Sequence, residues 1–142
     1  YWCAALGFWP GTPFLMPLDP RCKLSAPKYN PPRTFTPRGT IGMGGGSTAI
    51  YPVDGPGGYQ IFARTPIPIW DAEKRLPEFA EQRWLLQPTD RLKFVQCSVE
   101  EFEAIERKVD EGTYQINITG YSKVSLNSYK AWVDTLDLSK RF

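Results

Sequence analysis

Residues 39–65 run GTIGMGGGSTAIYPVDGPGGYQIFART and hold most of the twelve glycines of the chain. Glycine is placed where φ must be positive or where another group must come close to the backbone. Here the glycines form two clusters, Gly42, Gly44, Gly45, Gly46 and Gly55, Gly57, Gly58, on either side of the β-type run Ser47 to Val53. The pattern predicts a strand with a close-approach loop at each end, the second loop returning into Tyr59–Arg64. Both loops line one pocket only if the strand is short or strongly coiled, which a small closed β-barrel provides.

Outward from this stretch, Thr40-Ile41, Thr48–Val53 and Tyr59–Ala63 read as strands by alternation. Tyr1 to Phe8 reads as a short buried strand, with the look of one cut from a longer chain. Residues 14–38 carry many prolines and little periodicity, so they form an irregular excursion anchored by Lys28, Tyr29, Arg33, Phe35 and Arg38. Leu85–Val95 and Tyr114–Ile118 add expected strands. From Ser98 the language is helical. Ser98-Val-Glu-Glu101 is a capping box, Phe102, Ile105 and Val109 recur at helical spacing, and Gly112 stands where a helix ends. Ser125 caps a second helix with Leu126, Tyr129, Trp132, Val133 and Leu136 on one face. The expectation is one mainly β domain over residues 1–142, a closed barrel with two peripheral C-terminal helices.

Composition narrows the chemistry. The chain has 142 residues, 17 basic and 15 acidic, for a net charge of +2 and no histidine. Scattered charge gives no nucleic-acid footprint, and no apolar run is long enough to span a bilayer. Cys3, Cys22 and Cys97 lie far apart without metal-ligand spacing, which fits free thiols in a reducing, cytoplasmic setting. No metal site is expected. Without histidine, the Ser-His-Asp and Cys-His mechanisms are closed.

The remaining candidates are amides, amines, carboxylates and a guanidinium. The loop Gly55-Pro56-Gly57-Gly58 either is a bare tight turn or presents successive N–H groups to an anion, with Gly57 and Gly58 as donors. Gly45, Gly46 and Ser47 offer a second run of amides beside a hydroxyl, or else a bulge in a coiled strand. Arg64 suits two-point binding of a carboxylate or carbamate, or makes a structural ion pair. Asp19-Pro20-Arg21 is either a turn with a local ion pair or a group facing the cleft. Lys28, Tyr29 and Asn30 place an amine, a phenol and an amide together, and Lys28 serves as a base only if desolvated. Cys22, between Arg21 and Lys23, is a nucleophile only as an exposed thiolate.

The ordered motifs Leu6-Gly-Phe-Trp-Pro-Gly11, Pro17-Leu-Asp-Pro-Arg21, Lys28-Tyr-Asn-Pro31, Arg33, Thr48-Ala-Ile-Tyr51, Asp54-Gly-Pro-Gly-Gly-Tyr59 and Arg64-Thr65 resemble a known family. It is the KipI-like half of the urea carboxylase (urea amidolyase) carboxyltransferase domain, together with KipI, the B component of 5-oxoprolinase and the first component of allophanate hydrolase. The resemblance implies a cyclophilin-like barrel beside a KipA-like domain or subunit, with the active cleft between them. It implies a small carboxylate, ureido or amide substrate, and biotin on a carrier domain rather than bound directly. In urea carboxylase the carboxyl group passes from carboxybiotin to urea. One departure is Cys22, where urea carboxylases have a histidine after Asp-Pro-Arg. The expected mechanism is electrostatic: loop amides and Arg64 hold an oxyanion-like charge while Lys28 or Asp19 moves the proton. Two alternatives are a stand-alone lyase, cyclase or hydrolase of the same fold, and a non-catalytic KipI-like binding protein.

Overall fold

The computed structural model describes residues 1–7 and 9–140. Seven short strands come first: β1 (Trp2–Leu6), β2 (Pro13–Met16), β3 (Arg33–Thr36), β4 (Thr40–Gly44), β5 (Ser47–Ile50), β6 (Gly55–Gly57) and β7 (Gln60–Arg64). Two helices follow, α1 (Val99–Asp110) and α2 (Leu126–Asp134). The expected first strand is therefore present as β1; Phe8 lies outside the described residues. The main sheet has five antiparallel strands in the order β1-β2-β5-β4-β7, and β3 pairs with β6 in a separate two-stranded ladder.

The chain is mainly β with two helices, but the closed barrel expected from the sequence is not formed among the described residues. β1 and β7 are edges of an open sheet. The physical reason lies in the two segments expected to be further strands. In 85–95, Pro88 lacks an amide proton and Thr89 sits at φ 80, so the backbone turns and cannot run in register. Its bonds go locally to the β1 edge: Cys3 N–H to the Asp90 carbonyl (2.7 Å), Thr89 N–H to Cys3 (2.8 Å) and Leu92 N–H to Tyr1 (2.9 Å). Residues 114–118 are extended with Tyr114 and Ile116 half-buried, yet they join no ladder. They are held by Ile116 N–H donating to Glu78 Oε1 (3.3 Å).

The core follows from the alternation. Pro13 and Leu15 point inward from β2, and Cys3, Leu15, Ile41, Ile50 and Ile69 form one buried cluster. A second cluster joins Leu76, Phe79 and Val109, with Ile105, Tyr114 and Ile116 around it. Leu85 touches both and links the sheet to α1.

Helix α1 begins as its sequence predicts. Ser98 Oγ accepts from Glu101 N–H (3.2 Å) while Glu101 Oε2 accepts from Ser98 N–H (2.8 Å), and Gly112 at φ 70 follows the last turn. Ion pairs Arg64–Glu106 (3.1 Å) and Arg75–Asp110 (2.9 Å) fasten it to the strands and the loop after them. Helix α2 buries none of its residues; Leu126 and Trp132 remain exposed, and the Tyr129 hydroxyl donates to the Leu18 carbonyl (2.7 Å).

Asp71 is the buried charge that organises the loop under α1. It is 3% exposed, accepts from Glu73 N–H (3.1 Å) and Arg75 N–H (3.0 Å), and meets Arg75 Nε at 3.2 Å. Burial pushes its carboxyl up, but the two amides and the Arg75 guanidinium together outweigh burial and hold it below the ordinary carboxylate range. A folded-state pKa below the unfolded one, about 3.9, gives stability that is complete above that value and is lost as pH falls through the folded one. We expect Asp71→Asn to cost about 1–3 kcal/mol at neutral pH and to flatten the acid limb of the stability curve, measured by urea unfolding across that pH window. An unchanged acid limb would show that Asp71 does not set it.

Candidate functional site

The β4–β5 hairpin is closed by the pair Gly44 and Ser47, leaving Gly45-Gly46 as the turn, with Gly45 at φ 62. Gly44 serves a different need. The Tyr59 ring lies flat on the hairpin, and a Cβ at position 44 would fall 2.4 Å from it. So placed, the Tyr59 hydroxyl is 3.3 Å from Ser47 Oγ. The Tyr59 backbone amide donates to the Tyr51 hydroxyl (3.3 Å), which anchors the chain at that residue.

The proline-rich excursion is pinned over this hairpin. Ala26 and Gly45 exchange backbone bonds (3.1 and 2.8 Å), Tyr29 N–H donates to the Gly58 carbonyl (2.7 Å), and Gln60 Nε2 donates to the Pro27 carbonyl (2.9 Å). These bonds set Lys28 Nζ over the outer face of the Tyr59 ring, 5.1 Å from its centroid. Lys28, Tyr29, Gly45, Gly46, Ser47 and Gly58 are thus gathered around Tyr59, with exposed Asn30 next in the chain. Above Gly45 and Gly46 the surface is open: an added Cβ would meet nothing within 4 Å at either position.

Other expected partners lie elsewhere. Arg64 stands opposite Thr40 at the far end of β4, whereas Gln60 stands opposite Met43 beside the turn. Four residue steps along β7 separate the two, roughly 13 Å. Its guanidinium folds onto α1, with Nη2 on Glu106 (3.1 Å), Nε on the Arg38 carbonyl (3.3 Å) and the Phe102 ring at 5.3 Å. The Gly45 amide donates to Ala26 and Gly57 belongs to the β3–β6 ladder, so clustered loop amides and Arg64 do not form one receptor.

Asp19 and Cys22 belong to a 3-10 turn whose helical residues are Pro20–Cys22. Asp19 accepts from Arg21 N–H (2.9 Å) and from its Nε and Nη2 (3.0 and 2.7 Å). The guanidinium bonds, over an opposing burial effect, hold the carboxyl below its usual range, and Asp19 stays ionised. That is the local ion-pair alternative for Asp19, and it leaves the carboxylate no proton to give at neutral pH. Cys22 is half-buried, in the same turn.

Two residues outside the sequence-derived set belong to this surface. Tyr59 is legible only as one position of an alternating strand; the signal that places it is the pair of glycines Gly42 and Gly44, where an added Cβ would collide with it. Arg33 stands opposite Gly57 at the start of β3, its guanidinium 5.4 Å from the Tyr29 ring centroid. Among the described residues its buried Nε and Nη2 have no hydrogen-bond partner, nor has the buried hydroxyl of Thr36 on the same strand.

This arrangement combines an ammonium, two hydroxyls and an open glycine shelf, a set suited to binding a small polar carbonyl compound. A family model described as carboxyltransferase domain, subdomain C and D, matches residues 1–80. The urea amidolyase of Saccharomyces cerevisiae is 40% identical over 124 residues, which cover 87% of this chain and 7% of that protein. The B component of the Bacillus subtilis 5-oxoprolinase is 34% identical over 103 residues, 72% of this chain and 40% of that protein. The crystal structure of the K. lactis urea amidolyase superposes with a TM-score of 0.79 at 39% identity, over 87% of this chain and 7% of that one. The chain thus spans a small part of the length of the amidolyases it matches.

Proposed function

We propose that this chain, which belongs to the carboxyltransferase domain family, subdomains C and D, forms as one domain over residues 1–142 one wall of a carboxyl-transfer site for a small ureido, amide or carboxylate compound. The observation that carries this reading is the grouping of Lys28, Ser47 and Tyr59 beside the open Gly45-Gly46 shelf. Lys28 places positive charge where a carbonyl oxygen gains negative charge. Ser47 and Tyr59, each able to donate or accept, orient the amide edge of the ligand. The shelf, lacking side chains, admits a flat ureido ring. Biotin on a carrier domain supplies the mobile carboxyl group in that chemistry when present.

A KipA-like domain or subunit is the natural companion, and the exposed β7 side chains Ile61 and Phe62 support a covered edge in the assembled enzyme. A cytoplasmic setting accords with the three free cysteines. Among the described residues, no helix is long and apolar enough to cross a membrane.

Calorimetric titration of the chain with 5-oxoproline and with ethylene urea tests the reading. Lys28→Met is expected to weaken binding about tenfold, or about 1.4 kcal/mol, and Arg64→Ala to leave it unchanged because Arg64 serves α1. Loss of binding on Arg64→Ala with none on Lys28→Met would refute this placement of the site.

A further inference from the structure

The geometry points to Arg33 as the recognition group for the carboxylate of a small acid, bound in two-point fashion through Nε and Nη2 beneath the Tyr29 ring. The inference rests on the reading of this surface as a small-molecule site and adds to it a second anchoring residue.

Nε and Nη2 form the side-on edge of a guanidinium, whose parallel N–H bonds match the two oxygens of a carboxylate. In this chain Arg21 uses that edge to grip Asp19, at 3.0 and 2.7 Å. Arg64 spends the same two nitrogens on the Arg38 carbonyl and Glu106, and Arg75 puts Nε on Asp71 and Nη1 on Asp110. In Arg33 the same edge is buried and has no acceptor. Buried donors of a charged group are costly when unpaired, and the aromatic face of Tyr29 offsets only part of that cost.

No internal carboxylate is close in the chain to supply the acceptor. Between Asp19 and Asp54 there is no acidic residue, while Arg21, Lys23, Lys28, Arg33 and Arg38 all fall in that interval. Arg21 and Arg38 reach carboxylates at Asp19 and Asp110. Arg33 reaches none. The cover over it is the Tyr29 ring, whose residue is 51% exposed and is tethered to Gly58 through its backbone N–H. Lys28, one residue before this cover, lies over the Tyr59 ring, while Arg33 stands opposite Gly57, so a ligand amide beside Lys28 and a ligand carboxylate at Arg33 flank the short run Gly57–Tyr59.

The test is a titration of the 15N-labelled chain with sodium acetate, following the arginine Nε–H resonances at constant ionic strength. One resonance, assigned to Arg33 by its absence from Arg33→Lys, is expected to shift and saturate with acetate. It should not move with acetamide, the neutral analogue, or with chloride. Arg33→Lys keeps the charge but loses the fork, and its acetate binding, followed through the backbone amides of Tyr29 and Gly58 in the same spectra, should be at least tenfold weaker. Tyr29→Ala should keep or tighten it, because the cover is removed. If acetate behaves like chloride in both the unaltered chain and Tyr29→Ala, the assignment is overturned. Acetate saturation at Arg33 without any 5-oxoproline response to Lys28→Met leaves this site standing and removes the broader reading; the reverse result removes Arg33 alone.

Discussion

Phe79→Ala is expected to lower the unfolding free energy by about 3–5 kcal/mol. Phe79 is 0% exposed and is the largest of the fully buried side chains. It closes the 3-10 turn Pro77–Phe79 against Leu76 and Val109, with Ile105, Tyr114 and Ile116 packed around that cluster. Two segments thus depend on one ring: α1, through Val109 and Ile105, and the extended run through Tyr114 and Ile116. Truncation leaves a cavity that helix and loop cannot both close. Phe62→Ala is the control. That ring is 56% exposed on β7, and its removal should change stability by about 0.5 kcal/mol or less. Urea unfolding followed by tryptophan fluorescence measures both. A loss near 1 kcal/mol for Phe79→Ala would mean that the second cluster contributes little to holding α1.

Gly44→Ala is expected to cost about 1–3 kcal/mol and to disassemble the Tyr59–Ser47 pair. The new methyl would fall 2.4 Å from one ring atom of Tyr59 and 2.5 Å from a second, so the ring must leave the hairpin. Gly46→Ala, two residues on, meets nothing within 4 Å and should be close to neutral. The cause is isolated by a double-mutant cycle. In a Tyr59→Ala background, Gly44→Ala should lose most of its cost, since the clash is with that ring. A full cost in both backgrounds would place the demand for glycine in the backbone of β4 instead.

Much of the fold was legible because its signals are local. The reciprocal Ser98–Glu101 bonds, the stop at Gly112 and the alternation through β4, β5 and β7 each depend on neighbours within a few residues. Barrel closure was not legible, since closing a sheet requires a partner for each edge and alternation reports only which side chains turn inward. Leu92 and Phe94, like Tyr114 and Ile116, alternate as a strand would and are half-buried. Their backbones nevertheless form no ladder: Leu92 bonds to Tyr1 at the β1 edge, Tyr114 to the end of α1 and Ile116 to a side chain. The same pattern serves a paired strand and an extended strap, and Pro88 was the local hint of a strap.

The site divides in the same way. The nearness of Lys28 and Tyr29 to the glycine turns follows from long-range backbone bonds at Ala26, Pro27 and Tyr29, which no spacing rule foretells. Arg64 was attached to the glycine loops because it follows them in sequence, but a strand of five residues carries a side chain away from its own beginning. Arg33 had a visible signal, the long interval without an acid, whose meaning emerges only once its partnerless edge is seen beside residues that do find carboxylates.

The claim on which the account rests is that a small amide sits on the Gly45-Gly46 shelf, under Lys28 and beside Tyr59. A crystal of the chain soaked with 5-oxoproline tests it most directly. The account predicts ligand density within hydrogen-bond reach of Ser47 Oγ and the Tyr59 hydroxyl, with Lys28 Nζ turned toward it. Density seated instead between Arg64 and α1, with the shelf bare, would contradict it.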